Sequence, residues 1–554
     1  MSAVTQLINV KYTDLTNYTE GAGNDILGVP FEHHWGPVNE LNTLSQPAFF
    51  QLYPESLPIG RTTLTSPQRY YAYAQAKKCL ELPNNLVEAY RIQGGWKYAE
   101  INLLKTIATP GQGQPTVYFT TAEAVKQFAS IENMAAVISL KYPGIPPKSL
   151  LGDYDRLAIV LAVDKETQVF TISVCGAIQV SEAPVAGLYI KEGTAQTEKF
   201  FAVDEDAPLE TFEGGTDPNQ FVDGKSFFIE DVVASSDFIS VKVNGANPVP
   251  ENIAKTAVHL LDVCTIPEEP TTQDWEDALQ VFDDTLISNA SLLISPVATA
   301  ECDTKLLAIA ASRQDLQGVV GFPVATVFNK ANIQTFLTNL AGIRNMFGIF
   351  VAGREMTKVF GYNIQLNCTG GWAGSTFNIA KQVRTNQLAS AFTYGAYNGT
   401  LTETLSFDDV CELHKKGVIS VFSSVNGPMI WGTRSLHTRQ MSYFGKANVM
   451  RVLSKILRRV FPECLNAVHT DAAANPITTA NFQTRFTSII NEEIAQQNLI
   501  SDSYAACTGD INSDVKTKGG TIFNLVLALH FIGLVESINI HVFATDSSVT
   551  AKIV

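Results

Sequence analysis

The sequence predicts a multidomain α/β protein, α+β at the level of its separate units, with a β-rich domain inserted into it and an extended β-strand arm at each end. Three observations predict this. The 554 residues exceed what one hydrophobic core organises, since domains run to roughly 100–200 residues. Strand and helix patterns alternate over 25–110 and again over 270–425, the mark of βαβ units on a mostly parallel sheet. Between them, short β runs are set off by Gly, Pro and Asp clusters. With 45% hydrophobic and 17% charged residues, the chain has enough apolar side chains to fill several cores.

Residues 1–24 read as an arm. Leu7, Ile8 and Val10 lie in a strand-forming run over 4–12, which Gly21-Ala22-Gly23 breaks. A strand on a Gly-rich tether cannot bury its own face and needs a sheet edge supplied from elsewhere. Residues 25–114 read as the first part of the α/β core. A strand at 26–30 is followed by a turn-rich connection through His33, His34 and Trp35. Helices over 45–53 and 70–82 come next, the second stopped before Pro83, and then a strand at 86–92. His33 and His34 are neighbours on an extended chain, so their rings are expected on opposite faces, which disfavours a shared metal.

Residues 115–265 form the inserted β-rich domain. Leu157, Ile159, Leu161 and Val163 alternate with their neighbours, and a second run at 169–174 completes a hairpin pattern. Further β runs are expected at 188–190, 200–203, 227–229 and 238–243. Asp204, Glu205, Asp206, Glu210, Glu213, Asp217 and Asp223 make the middle acidic. Their spacing lacks the EF-hand pattern, so they read as a solvated outer face.

Residues 266–431 return to α/β alternation. A helix over 275–287 carries Trp275, Leu279, Phe282 and Leu286 on one face. Strands at 292–294, 318–324 and 347–352 alternate with helices at 302–311 and 331–340. Ser406 with Asp409 opens a helix over 407–415. Val425-Asn426-Gly427-Pro428 is a hairpin turn between strands at 418–423 and 429–431. Residues 432–535 hold two amphipathic helices. The first is marked by Val452, Leu453, Ile456, Leu457 and Val460 and is expected to end at Pro462. The second is marked by Phe482, Phe486, Ile489, Ile490 and Ile494. An apolar strand follows at 522–529. Residues 536–554 are the C-terminal arm, whose strand at 538–543 carries Ile538, Ile540 and Val542.

A net charge of −15 repels phosphate backbones, so direct nucleic-acid binding is not expected. The opening segment lacks a basic-then-apolar signal pattern, and no apolar run is long enough to span a bilayer, so a cytosolic product without membrane insertion is expected. The eight cysteines form no short ligand pair and read as reduced thiols. There is no GxxxxGK[ST] loop, no HExxH and no GxSxG. Gly111-Gln112-Gly113-Gln114-Pro115 reads as a linker. The chain is therefore not expected to be an enzyme, and no catalytic, cofactor or metal residue is assigned. Basic charge does concentrate at Arg434, Arg439, Lys446, Arg451, Lys455, Arg458 and Arg459. Arg451, Lys455 and Arg458 share a helical face opposite the apolar one. That face reads either as solvated or as a contact for an acidic partner.

The run Ile430-Trp431-Gly432-Thr433-Arg434-Ser435-Leu436 resembles a motif of contractile-tail sheath proteins, a family related to pyocin and type VI secretion sheaths. Ile26-Leu27-Gly28-Val29-Pro30 through Trp35-Gly36-Pro37-Val38-Asn39-Glu40 resembles the family's opening. Residues 70–92 and 275–324 resemble its following elements, and the two late helices, Gly519-Gly520 and the closing strand pair resemble its end. The stretches at 368–374 and 389–398 depart from the family pattern, and the β-rich insertion matches none of it. The resemblance implies a structural subunit of a helical sheath around an inner tail tube, assembled in the host cytoplasm and located in the virion. Contraction would drive the tube through the host envelope for genome delivery. Partners implied are neighbouring sheath subunits, the inner tube protein, and baseplate and tail terminator proteins. Leu7, Ile8, Val10, Ile538, Ile540 and Val542 would form intersubunit strands by addition to a sheet edge. Lys446, Arg451, Lys455, Arg458 and Arg459 would meet the inner tube, and the insertion would face outward. Two other readings are a virion protein that binds a cell-surface glycan through the insertion, and a hydrolase with a site assembled from distant Asp and His residues. The lack of a local nucleophile or phosphate motif argues against the second.

Overall fold

The structure is a computed structural model. It describes residues 25–104 apart from 60, 62, 64 and 65; 116–120; 134–245 apart from 165, 185 and 193–196; and 253–258. It further describes 267–534 apart from 440–441, 468–469, 472–474 and 511–521; 540–544; and 549–553.

An eight-stranded sheet forms the centre. Its order is Leu41–Leu44, Leu86–Arg91, Ile26–Phe31, Leu292–Ile294, Gln317–Gly321, Gly348–Ala352, Val418–Ser424 and Gly427–Trp431. The six inner strands run parallel, and the two edge strands are antiparallel to their neighbours. Every residue of Gln317–Gly321 and Gly348–Ala352 is buried, as expected for parallel strands covered on both faces. Alternation then sorts the side chains. Leu27, Val29, Leu292, Ile294, Ile349 and Val351 join one core with helices Tyr71–Leu80 and Thr369–Gln382. Leu293, Val320, Phe350 and Ala352 join a second core on the other face with Thr272–Gln280, Ala300–Arg313, Lys330–Asn339 and Phe407–Lys415. Each of these last four helices starts at a side-chain cap, Thr271, Thr299, Asn329 and Ser406 respectively.

The helix expected over 275–287 stops earlier. It ends at Gln280, passes through a 3-10 turn at Val281–Asp283, and leaves Leu286 76% exposed. Asp284 is the reason: its Oδ1 accepts the Leu286 N–H at 2.8 Å, a local turn that competes with the helix. Helix Thr369–Gln382 occupies the stretch that departs from the family pattern. Its glycines let it approach helix Tyr71–Leu80 closely: a Cβ on Gly374 would lie 2.8 Å from the Cys79 carbonyl oxygen.

Among the described residues the β-rich unit has two larger antiparallel sheets and a small two-stranded one, Phe221–Val222 with Lys225–Ser226. One of the larger two runs Ile239–Val243, Met134–Leu140, Tyr98–Leu104, Thr116–Thr120. The other is built on the expected hairpin, Arg156–Asp164 with Val169–Val180. Because Tyr98–Leu104 pairs with Met134–Leu140, this unit begins before the expected boundary at 114–115, which falls inside its first sheet. The strand expected at 227–229 is instead the lead into a short helix, Ile229–Val233, with Phe228 as its cap residue.

Candidate functional site

The basic helix spans Ala447–Ala467 and runs through Pro462 instead of ending there. Its apolar face, Val452, Ile456 and Val460, packs on Phe482, Phe486, Ile489 and Ile490 of helix Pro476–Ala495. Arg451 and Lys455 on the opposite face are buried as well, Arg451 against the central α/β unit and Lys455 against the end of helix Pro476–Ala495, and Arg458 is half-buried. Arg451 is 3% exposed and forms an ion pair with Asp25. Its Nη1 donates to the Thr376 carbonyl at 3.2 Å, and its guanidinium sits 5.5 Å from the Phe377 ring. Lys455 Nζ lies 2.9 Å from Glu493 Oε1 and donates to Gln496 Oε1 at 2.7 Å. Arg458 Nη1 donates to the Asp315 carbonyl at 2.5 Å. Burial draws the Arg458 pKa down to about 10. Arg459 pairs with Glu492 and Glu493, and Lys446 Nζ lies 5.5 Å from the Tyr443 ring. This corrects the reading of Arg451, Lys455 and Arg458 as a solvated or partner-facing stripe. They hold the helix to its own chain, and breaking such pairs would strand buried charge.

Asp25 is the first described residue. Leu7, Ile8 and Val10 lie outside the described residues, so the Asp25–Arg451 pair fixes the point where residues 1–24 join the body.

Beyond the second helix, Tyr504–Asp510 and Ile522–Ala528 form a two-stranded antiparallel sheet. Ala505, Cys507, Leu525 and Leu527 pack inward with the two helices. Tyr504 and Val526 face outward, 54% and 55% exposed. Among the described residues no third strand pairs with this sheet. Two strands are a minimal sheet, stable here because one face rests on helices. Sequence reading gave no role to Gln483, which bonds the backbone of Tyr504–Asp510. A lone glutamine on a helix carries no signal that would have identified it.

The C-terminal strand differs from expectation. Ile540 and Val542 lie in Ile540–Ala544, which pairs antiparallel with Val549–Ile553, so the arm is a hairpin instead of one trailing strand. Ile538 lies outside the described residues.

A buried polar joint ties the central unit to the β-rich unit. Strand Ile26–Phe31 ends just before it, and the chain turns. The turn stacks the His33 and His34 rings, with centroids 4.3 Å apart, so they do not point to opposite faces as expected. Arg91 donates to the carbonyls of His33 at 2.7 Å and Pro143 at 2.8 Å. Glu32 pairs with Arg69 and accepts from Trp96 Nε1 at 2.8 Å. Burial and the nearby Arg91 lower His33 to about 3, and burial holds His34 well below its ordinary value. Among the described residues no group of three His, Cys, Asp or Glu is placed to hold a metal, and no helix is long and apolar enough to cross a membrane.

The motif at 425–436 forms the edge hairpin of the central sheet and hands the chain to the basic helix. Val425 is at its exposed tip, Trp431 packs 5.0 Å from the Phe407 ring, and Leu436 is buried in the second core. Gly432 turns at φ +135°, where a Cβ would meet the Ile419 Cα at 2.9 Å. A crystal structure of a sheath tail protein from Listeria innocua matches 92% of this chain and 96% of its own, with TM-score 0.52 and 12% identity. The chain has the tail-sheath fold. A sheath tail protein from Desulfitobacterium hafniense aligns over 92% of this chain and 98% of its own, at TM-score 0.45 and 11% identity. The contracted sheath complex of an extracellular contractile injection system aligns over 48% of this chain and 75% of its own, at TM-score 0.38 and 14% identity. No family model matches the sequence, and neither does any curated protein. The arm root at Asp25, the basic helix and the two-stranded sheet are linked in series, Asp25 to the basic helix through Arg451 and that helix to the sheet through a shared core. No comparison favours the glycan-binding or hydrolase reading.

Proposed function

We propose that this chain is a structural, non-catalytic subunit of a contractile tail sheath. It polymerises as a helical tube around an inner tail tube and contracts to drive that tube through a host envelope. The carrying observation is the fold match along nearly the whole length of the Listeria innocua sheath tail protein. The two-stranded sheet supports it, since an uncompleted sheet edge takes up strands from other chains. The strands offered are residues 4–12 and the C-terminal hairpin of neighbouring copies. The other partners in this reading are the inner tube, the baseplate and a tail terminator, and the location is the virion. Arg451, Lys455, Arg458 and Arg459 are all engaged within the chain, so this reading assigns the tube contact to none of them.

Electron microscopy of the purified chain tests the proposal. The full chain is expected to build helical tubes, and a chain lacking residues 1–20 to stay folded and monomeric. Tubes from the truncated chain would remove the arm from the linkage. A full chain that never polymerises, alone or with its tube protein, would remove the sheath reading.

A further inference from the structure

We propose that Gln483 is a built-in stand-in for an incoming strand: it closes the outer edge of Tyr504–Asp510 until a strand from a second copy displaces it. The inference rests on the sheath reading and adds a latch to it. Gln483 lies on helix Pro476–Ala495. Its Oε1 accepts the Cys507 backbone N–H at 2.6 Å, and its Nε2 donates to the Ala505 backbone carbonyl at 2.5 Å. Residues two apart in a strand direct their N–H and C=O groups to the same edge. An N–H engaged with Gln483 is not engaged with Ile522–Ala528, so the edge served is the one facing away from that strand. One side-chain amide thus offers the acceptor and the donor that the C=O and N–H of one residue of a third strand would offer. The same Nε2 also donates to Thr487 Oγ1 at 2.9 Å, which holds the amide in this orientation.

The occupant that fits is another strand of polypeptide, because the groups Gln483 satisfies are a backbone N–H and a backbone C=O. The chain has such a segment to lend, since residues 1–24 extend beyond Asp25. The surface of the helix around Gln483, Thr487 and Asn491 is an open, shallow groove, so the released side chain has somewhere to go. The physical logic is that of a protected edge. Unpaired strand edges aggregate, and covering them until the right partner arrives avoids this. A two-bond cap is weak enough for a full strand to outcompete.

The test uses the full chain and two variants. Gln483→Met keeps the stem and loses the amide; Thr487→Val loosens the amide without removing it. Hydrogen exchange on unassembled protein is expected to find the Cys507 amide protected in the parent, about tenfold less so in Gln483→Met, and intermediate in Thr487→Val. A synthetic peptide of residues 1–20 is expected to bind Gln483→Met about tenfold more tightly than the parent, and tube assembly is expected to start with a shorter lag. Equal Cys507 exchange, peptide affinity and lag in the parent and a normally melting Gln483→Met would overturn the latch while leaving the sheath reading intact. Absence of tubes from both proteins, with no peptide binding to either, would overturn the sheath reading on which the latch rests.

Discussion

Arg451 and Asp25 form a buried ion pair across 426 positions of sequence. It joins the root of the N-terminal segment to the helix that leads into the two-stranded sheet.

Removing one partner leaves the other charged in a site that excludes water. Arg451→Met is expected to cost about 3–5 kcal/mol, read from urea denaturation of the unassembled chain. The double variant with Asp25→Asn should lose less than the sum of the two single changes, because the stranded charge is gone. Lys455→Met should also destabilise, but less than Arg451→Met, since the buried Glu493 beside it keeps Arg459 as a second partner. Near-parental stability in both single variants would mean that these charges are not committed inside the fold.

The His33–His34 stack predicts an acid-sensitive joint. The folded His33 pKa of about 3 lies below the unfolded value of about 6.5. The unfolded chain therefore binds more protons between those values, and stability falls as pH drops through that window, by up to about 1.4 kcal/mol per unit. Denaturation at pH 7, 6 and 5 should find a steeper decline in the parent than in His33→Phe. Parallel slopes would show that His33 carries no part of the acid response.

Gly374→Ala tests the close approach of helices Tyr71–Leu80 and Thr369–Gln382. Alanine gains up to about 1 kcal/mol in helix propensity. The added Cβ, however, meets the Cys79 backbone, and overpacking costs about 1–3 kcal/mol. A lower melting temperature is expected. Gly342→Ala, with open space around its Cβ, should melt close to the parent.

Thr271 and Asp274 form a reciprocal capping box at the start of helix Thr272–Gln280. Thr271→Ala is expected to cost about 1 kcal/mol by equilibrium unfolding, and Thr271→Ser much less.

The sequence was most legible where periodicity is strong. The inner parallel strands, the 156–180 hairpin and the second late helix stand close to where apolar spacing put them. It was least legible where a residue's purpose lies far along the chain. Thr369-Gly370-Gly371-Trp372-Ala373-Gly374 does not look helical, because its glycines serve a neighbouring helix nearly 300 positions earlier. Arg451, Lys455 and Arg458 looked like a surface because sequence displays charge but not its partner. Their partners, Asp25, Glu493 and Asp315, are brought in by folding alone. The His33–His34 stack was missed because strand alternation was carried past Phe31, where the strand ends.

The position of Ile26–Phe31 in the central sheet also bears on biosynthesis. One side of this strand pairs with Leu86–Arg91, but the other waits for Leu292–Ile294. At about 5–20 residues per second on the ribosome, some 260 residues must be made first, a delay of roughly 15–50 seconds. During that time the second edge of this strand, a row of unpaired backbone N–H and C=O groups, is exposed on the nascent chain. The β-rich unit, with its own core and sequence-local hairpins, has the means to close within that interval. The order of assembly within the chain is thus written into strand order: the insertion matures first, and the central sheet is sealed late.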